Sequence, residues 1–180
     1  CNEDNPANNY RDLTTSKIYH HYASSGDDGR AIAGNFCNDY PGVMGFSAHD
    51  NPISCVTGEV MDGLSKTGVG MNFRTYWDGD LCEETFNGGD NTPGRIYKYG
   101  NSSAIKEFAG SLTNNSTKAT PCFMGDIMGD WREELILRTA DNNIRIYTTT
   151  IETPWRNYSL WYDHQYRNGM VWQPCGYNQP

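Results

Sequence analysis

Gly125-Asp-Ile-Met-Gly-Asp-Trp-Arg-Glu-Glu-Leu-Ile-Leu-Arg138 crowds acids into a glycine-rich turn and then runs straight into an apolar strand. Gly125 and Gly129 permit a tight backbone there, so Asp126 and Asp130 can turn their carboxylates into one small loop. Leu135, Ile136 and Leu137 anchor the strand that leaves this loop. Immediately downstream, Leu135 to Thr139 and Asn143 to Thr149 read as a hairpin joined through Ala140-Asp-Asn-Asn143, the clearest β signal in the chain. An acidic loop between short strands is therefore the unit from which the fold is read.

The same rhythm extends outward. Ile18 to Tyr22, Ala31 to Cys37, Val43 to His49, Ile53 to Met61, Gly68 to Trp77, Arg95 to Tyr99 and Ala104 to Phe108 are read as strands separated by Gly, Asn, Asp and Pro turns. Ser159 to Tyr162 and Gly169 to Trp172 are read as the last strands. Leu81 to Phe86 is read as a short helical turn, because an aspartate that can cap precedes Glu83 and Glu84. No linker or composition break divides residues 1–180, so a single all-β domain is expected. Periodicity alone fits an irregular β-propeller and an ordinary β-sandwich equally well.

Against 14 Lys and Arg stand 22 Asp and Glu, a formal charge of -8, which argues against a nucleic-acid partner. No apolar run approaches the roughly 20 residues needed to cross a bilayer, so no membrane span is expected. The six cysteines, at positions 1, 37, 55, 82, 122 and 175, are even in number and dispersed, with no C-x-x-C pair, and disulfides are expected in an exported protein.

Three loops have the composition of hard-cation sites. The first carries Asp126, Asp130 and Glu133. Strand alternation puts Glu133 and Glu134 on opposite faces, so one of the two joins the aspartates. Asp78 and Asp80 in Trp-Asp-Gly-Asp form the second, and Asn35, Asn38 and Asp39 a third, weaker one with two neutral amides.

Thr75-Tyr-Trp-Asp-Gly-Asp-Leu81, Asn114-Asn-Ser-Thr-Lys-Ala-Thr-Pro121, the Gly125 to Arg138 stretch, Ile144-Arg-Ile-Tyr-Thr-Thr-Thr150, Tyr158-Ser-Leu-Trp-Tyr-Asp-His-Gln-Tyr-Arg167 and Trp172-Gln-Pro-Cys-Gly-Tyr-Asn-Gln-Pro180 occur in one order. Together they resemble the rhamnogalacturonan lyases of polysaccharide lyase family 11, from about Arg30 to the last residue. The resemblance implies a secreted, extracellular, calcium-containing eight-bladed β-propeller that cleaves the rhamnogalacturonan I backbone by β-elimination. The family's catalytic module is much longer, so this chain resembles its C-terminal portion, with about four blades at propeller repeat lengths. The implied partners are an acidic plant cell-wall polysaccharide and the N-terminal portion of the same propeller or a complementary chain. The implied cofactor is Ca²⁺.

Residue by residue, Arg30 in Asp27-Asp-Gly-Arg30 and Lys118 in the Asn114 to Pro121 segment match the family's basic catalytic positions. Lys118 is expected as the base and Arg30 as the group that neutralises the uronate and can share the proton transfer, with the reversed roles as the alternative. Asn114, Asn115, Ser116 and Thr117 are expected to grip sugar hydroxyls, and Tyr177 to stack on a sugar. The family segment usually has Gly where Ser116 stands, and an Asn commonly follows the Trp-Gln pair where this chain has Pro174. A non-catalytic pectin-binding or structural propeller segment is the alternative reading.

Overall fold

A computed structural model describes residues 7–23, 26, 28–40 and 42–173. The described residues form four small antiparallel sheets, each built from strands consecutive in sequence, and one short helix. A hairpin, β1 (Ala7–Arg11) and β2 (Ile18–Ala23), comes first. It is followed by a sheet of β3 (Ala31–Gly34), β4 (Met44–Ser47) and β5 (Ile53–Ser54). A four-stranded sheet contains β6 (Phe73–Thr75), β7 (Glu84–Asn87), β8 (Arg95–Tyr97) and β9 (Lys106–Glu107). The last sheet is β10 (Phe123–Gly125), β11 (Glu134–Arg138) and β12 (Ile144–Tyr147). The helix α1 (His164–Trp172) lies near the C-terminus. Among the described residues no helix is long and apolar enough to cross a membrane.

The apolar residues collect in two cores. Phe73, Trp77, Phe86, Ile96 and Phe108 of the four-stranded sheet and its loops pack against Met124, Leu135 and Leu137 of the last sheet. Ile32, Phe36, Met44 and Phe46 form the second, covered by Met61, Leu64, Val69, Met71 and Tyr99 from segments further along the chain. Sheets that share a core across their faces need no long strands, which is why three-residue strands suffice here.

Adjacent sheets are also fastened by a repeated polar clasp. The residue just after β3 is Asn35; its N–H donates to Glu83 Oε2 at 2.7 Å and its carbonyl accepts the Glu83 N–H at 2.7 Å. The residue just after β6 is Tyr76, and it exchanges the same two bonds with Glu133, at 3.1 and 2.9 Å. Glu83 and Glu133 stand at matching places in Gly79-Asp-Leu-Cys-Glu-Glu84 and Gly129-Asp-Trp-Arg-Glu-Glu134. Gly34 leaves room for this contact, since a Cβ there would lie 2.6 Å from Glu83 Oε2. After β10 no third glutamate takes part. The Asp126 N–H instead donates to the Tyr166 hydroxyl at 2.8 Å, and the Asp126 carbonyl accepts from Trp161 Nε1 at 2.5 Å. The C-terminal segment thus takes the seat that the next sheet's glutamate takes elsewhere.

Several expected elements differ. Leu81 to Phe86 is no helical turn: Asp80 does accept the Cys82 N–H at 2.7 Å, but Thr85 and Phe86 are drawn into pairing with β6 and β8. Ile53 to Met61 keeps only two strand residues, because Gly58 N–H turns back to the Ser54 carbonyl. Gly68 to Trp77 keeps three. Ser159 to Tyr162 contains a 3-10 turn, capped by Ser159. Gly169 to Trp172 belongs to α1, whose first turn is capped by Asp163 accepting the Tyr166 N–H at 2.9 Å. Cys37, Cys55, Cys82 and Cys122 are free, so disulfides are not formed among the described residues, and Cys1 and Cys175 lie outside them.

Candidate active site

Arg30 stands immediately before β3 and Asn72 immediately before β6, so both lie at the rim where the first strands of their sheets begin. Antiparallel pairing returns Asn87, at the end of β7, and Arg138, at the end of β11, to the same rim. The loop from Asn114 to Thr120 joins them there.

That loop is a small projecting hairpin. Asn114 and Thr120 exchange backbone hydrogen bonds at 2.9 Å, and the side chain of Asn114 donates to the Thr120 carbonyl and accepts Arg138 Nε. Ala119 is buried and pins the base of the loop. Asn115, Ser116 and Ala119 all have left-handed backbones, with φ of 62°, 53° and 49°. Two of these are residues for which that region costs about 1 kcal/mol or more. Ser116, the position where the family segment carries Gly, is one of them. The strained turn is held by the Asn114–Thr120 pairing beneath it and by the Arg30 bonds to Thr117.

Arg30 meets this loop directly. Its Nη1 donates to the Thr117 carbonyl at 2.8 Å and to Asn72 Oδ1 at 2.8 Å, and its Nη2 donates to Thr117 Oγ1 at 2.6 Å. Arg30 and Thr117 are 87 positions apart in the chain, yet the fold joins them. Lys118 is the next residue and is half-buried. The rim thus brings Arg30 together with the segment that carries Lys118, Ser116 and Thr117. Asn114 is occupied within the loop, whereas Asn115, Ser116 and Thr117 are exposed. Tyr177 and Pro174 lie outside the described residues.

The acidic loops lie at the opposite ends of the strands, between β3 and β4, β6 and β7, and β10 and β11. They brace the sheets and are separated from Arg30 and Lys118 by the length of the strands. Their carboxylates are also used differently from expectation. In the last loop Asp126 is enclosed; its Oδ2 accepts from Ser159 Oγ and Leu160 N–H at 2.8 Å each, while Oδ1 has no partner. Asp130 is exposed and pairs with Arg132 at 2.9 Å. Glu133 is in the clasp, and its Oε1 accepts the Tyr166 hydroxyl at 2.9 Å. Glu133 and Glu134 do face opposite ways, since Glu134 accepts from Met128 N–H and Thr148 Oγ1 instead. Asp126, Asp130 and Glu133 therefore do not converge on one point. In the first loop Asn35 is likewise in the clasp and Asp39 is exposed, so these two do not form a cation site either.

Only the middle loop gathers a donor set among the described residues. Asp78, Asp80 and Glu84 bring carboxylate oxygens within 4.8 Å of one another, and Glu84 is a member that loop composition does not single out. Such oxygens suit a hard cation. Lys98, just after β8, reaches into the same place and pairs with all three, at 2.8 Å to Asp80 and 3.1 Å to Glu84 as well as with Asp78. In the last sheet the matching position is Thr148, and the place of Asp78 is taken by Met128. Lys98 therefore already stands as a cation among these carboxylates, a set that could otherwise hold a divalent ion. Burial first, then the neighbouring Asp78, pushes the Glu84 carboxyl up to about 7, while Lys98 pulls it down. Burial likewise pushes Glu133 up to about 7 and the Tyr76 hydroxyl up to about 12.

Over residues 1–180 the chain matches the sequence profile of Rhamnogalacturonan lyase family 11, C-terminal domain. It is 38% identical over 176 residues to rhamnogalacturonan endolyase YesW of Bacillus subtilis (strain 168), covering 95% of this chain and 27% of that protein. The crystal structure of YesW superposes with a TM-score of 0.83 at 37% identity, covering 96% of this chain and 29% of that one. Rhamnogalacturonan exolyase YesX of the same organism is 37% identical over 183 residues, 94% of this chain and 30% of the other. A Bacillus licheniformis rhamnogalacturonan lyase superposes with a TM-score of 0.82 at 37% identity, covering 96% of this chain and 29% of that one. The chain thus spans less than a third of the length of these relatives. It belongs to rhamnogalacturonan lyase family 11.

Proposed function

We propose that this chain supplies the catalytic rim of a secreted rhamnogalacturonan lyase, cleaving the backbone of rhamnogalacturonan I by β-elimination once the rest of a propeller completes it. Endolyase and exolyase relatives that match almost the whole chain support the reaction class. The observation that carries the site is the guanidinium of Arg30 fastened to Thr117, one residue from Lys118.

Elimination at a galacturonate needs the carboxylate charge muted, the C5 proton removed and the O4 leaving group released. Arg30 pairs with the uronate carboxylate, which stabilises charge developing on it and acidifies C5–H. Lys118 takes the C5 proton on its side-chain nitrogen. The C5–H electrons become the C4=C5 double bond as the C4–O4 bond breaks; the departing oxygen takes a proton from water to become a sugar hydroxyl, and Lys118 returns its proton to solvent. Thr117, Ser116 and Asn115 meet neighbouring sugar hydroxyls. Calcium is part of the expectation drawn from the family. In this chain, however, Lys98 holds the one converging acid set among the described residues, so no step is assigned to a metal.

The test is the ultraviolet absorbance of the conjugated uronate when rhamnogalacturonan I meets the complete lyase. Wild type should show the rise, and Lys118→Ala and Arg30→Ala should each lose it by roughly 100-fold or more. Saturable polysaccharide binding without any double bond formed would replace this reading with a binding role.

A further inference from the structure

Asn72 is buried, with 3% of its surface exposed, and its side chain joins Arg30, the loop that holds Lys118 and Asn87. Its Oδ1 accepts Arg30 Nη1 at 2.8 Å. Its Nδ2 donates to the Thr117 carbonyl at 3.0 Å and to Asn87 Oδ1. The assignment of the two amide ends follows from chemistry: a guanidinium has no acceptor and a carbonyl no donor, so the oxygen must face Arg30 and the nitrogen Thr117. Asn87 is itself held, its Oδ1 also accepting the Gly88 N–H at 2.9 Å. Gly70 makes room for it, since a Cβ there would come within 2.8 Å of Asn87 Cβ. One amide thus ties three pieces of chain together: the entry to β3, the end of β7 and the 114–120 loop.

The chemical type at this position matters as much as the contacts. A carboxylate has the same shape and would hold Arg30 more strongly, as is common for buried guanidinium groups. It would also cancel the charge that a uronate needs. A neutral amide orients the guanidinium and leaves its charge uncompensated. The Nδ2 donors do a second job that a carboxylate cannot do, because the Thr117 carbonyl would then face an oxygen.

We propose that Asn72 is a positioning residue for the elimination, setting the plane of Arg30 against the Lys118 loop and keeping its charge available to an acidic substrate. This rests on the lyase reading above. A misplacement of about 1 Å in such a group costs on the order of 100-fold in rate.

The test compares Asn72→Asp, Asn72→Ala and Thr117→Val in the complete lyase, with Arg30→Ala as the reference and thermal unfolding as the folding control. Thr117 is exposed, so its substitution keeps the question open should the buried variants fail to fold. Asn72→Ala and Thr117→Val should lower kcat by roughly 10- to 100-fold with KM much less changed. Asn72→Asp should lower kcat/KM by roughly 100-fold, raise KM, and flatten the dependence of kcat/KM on salt, because Arg30 no longer attracts the uronate. A merely structural role would leave that salt slope unchanged. Folded Asn72→Asp and Thr117→Val variants with wild-type kinetics and salt slope, beside an inactive Arg30→Ala, would overturn the positioning role alone. Full activity in Arg30→Ala would overturn the lyase reading itself.

Discussion

Replacing Lys98 with methionine keeps the length of the stem and deletes the ammonium. Three carboxylates then share the middle acidic loop, and the side chain of Glu84 is wholly enclosed. Removing one partner of a buried ion pair costs about 3 to 5 kcal/mol. The Lys98 side chain is 26% exposed and that of Asp80 38%, so solvent screens part of this and the lower end applies, about 3 kcal/mol. For a chain of this size each kcal/mol moves the midpoint by about 2 to 4 °C, so unfolding should fall by roughly 6 to 12 °C at pH 8. The pH dependence has a fixed sign. Burial raises the Glu84 carboxyl to about 7, and Lys98 is the largest of the influences that lower it, ahead of the Trp77 and Asp78 N–H groups. Without Lys98 the folded-state value rises further, so the penalty is complete above that value and shrinks as acid protonates Glu84. The variant should therefore lie closer to wild type at pH 5 than at pH 8.

Calcium supplies the second arm. The carboxylates left by Lys98→Met form an oxygen set that a divalent ion can fill, and saturation at 100-fold above Kd would return about 2.7 kcal/mol. Thermal unfolding in EDTA and in calcium, for both proteins at pH 8, reads this directly. The variant should gain several degrees from calcium while wild type gains little. An unshifted midpoint for Lys98→Met, or an equal calcium gain in wild type, would refute the claim that Lys98 is the resident cation.

The clasp between sheets makes its own predictions. Glu83→Ala strands the Asn35 N–H and Arg74, which pairs with Glu83 at 3.0 Å, and should cost about 3 kcal/mol by chemical denaturation, with Glu83→Gln costing less. Burial raises Glu133 to about 7 from an ordinary value of 4.5, so the folded state holds its proton more tightly and stability should fall as pH rises between those values. The change amounts to about 3 kcal/mol from this group, and Glu133→Gln should make the pH profile shallower over that window, leaving the share of Glu84, which burial also raises to about 7. Asp163→Ala removes the N-cap of α1 and should cost about 1 kcal/mol, read as faster hydrogen exchange in residues 164–168.

Legibility in the sequence tracks the range of the interaction. The hairpin of β11 and β12 is readable because Leu135, Leu137 and the Asp-Asn-Asn turn are local signals, and the structure keeps it. Alternation also places Glu133 and Glu134 on opposite faces correctly. What those carboxylates do is not readable, since a buried Glu accepting backbone N–H groups from the neighbouring sheet has the same composition as an ion site. The duplicated Gly-Asp-x-x-Glu-Glu is the signal that could have revealed it, because a repeat of paired glutamates implies a repeated structural contact. Lys98 gives no local sign because its partners lie 14 to 20 positions away. The helix α1 has no strong amphipathic pattern, and Asp163 as a cap three residues before Tyr166 is its only local mark. Arg30 and Lys118 come from family resemblance, and geometry then joins Arg30 to the Lys118 loop through residues that composition does not single out.

The net charge of -8 sits awkwardly with an acidic polysaccharide until the charges are placed. At the acidic rim, Asp78, Asp80 and Glu84 surround Lys98, Asp130 faces Arg132, and Glu83 and Glu133 accept backbone N–H groups. At the other rim Arg30 is held by Asn72 and Thr117, and Arg138 by Asn114, Asn91 and the Thr113 carbonyl. Asp28, Asp50, Asp90, Glu107 and Asp141 are also on that side: Asp28 accepts from Asn8, Asp50 pairs with His20, Glu107 pairs with Arg95, Asp90 accepts the Ser116 N–H and Asp141 accepts the Asn143 side chain. Amides and carbonyls orient a guanidinium without cancelling it, whereas carboxylates would. The acids of both rims are thus taken up by their own partners, while Arg30 and Arg138 are oriented by neutral amides, hydroxyls and carbonyls. Because the field at short range depends on uncompensated neighbours more than on the total, an acidic chain can present a positive rim to a uronate.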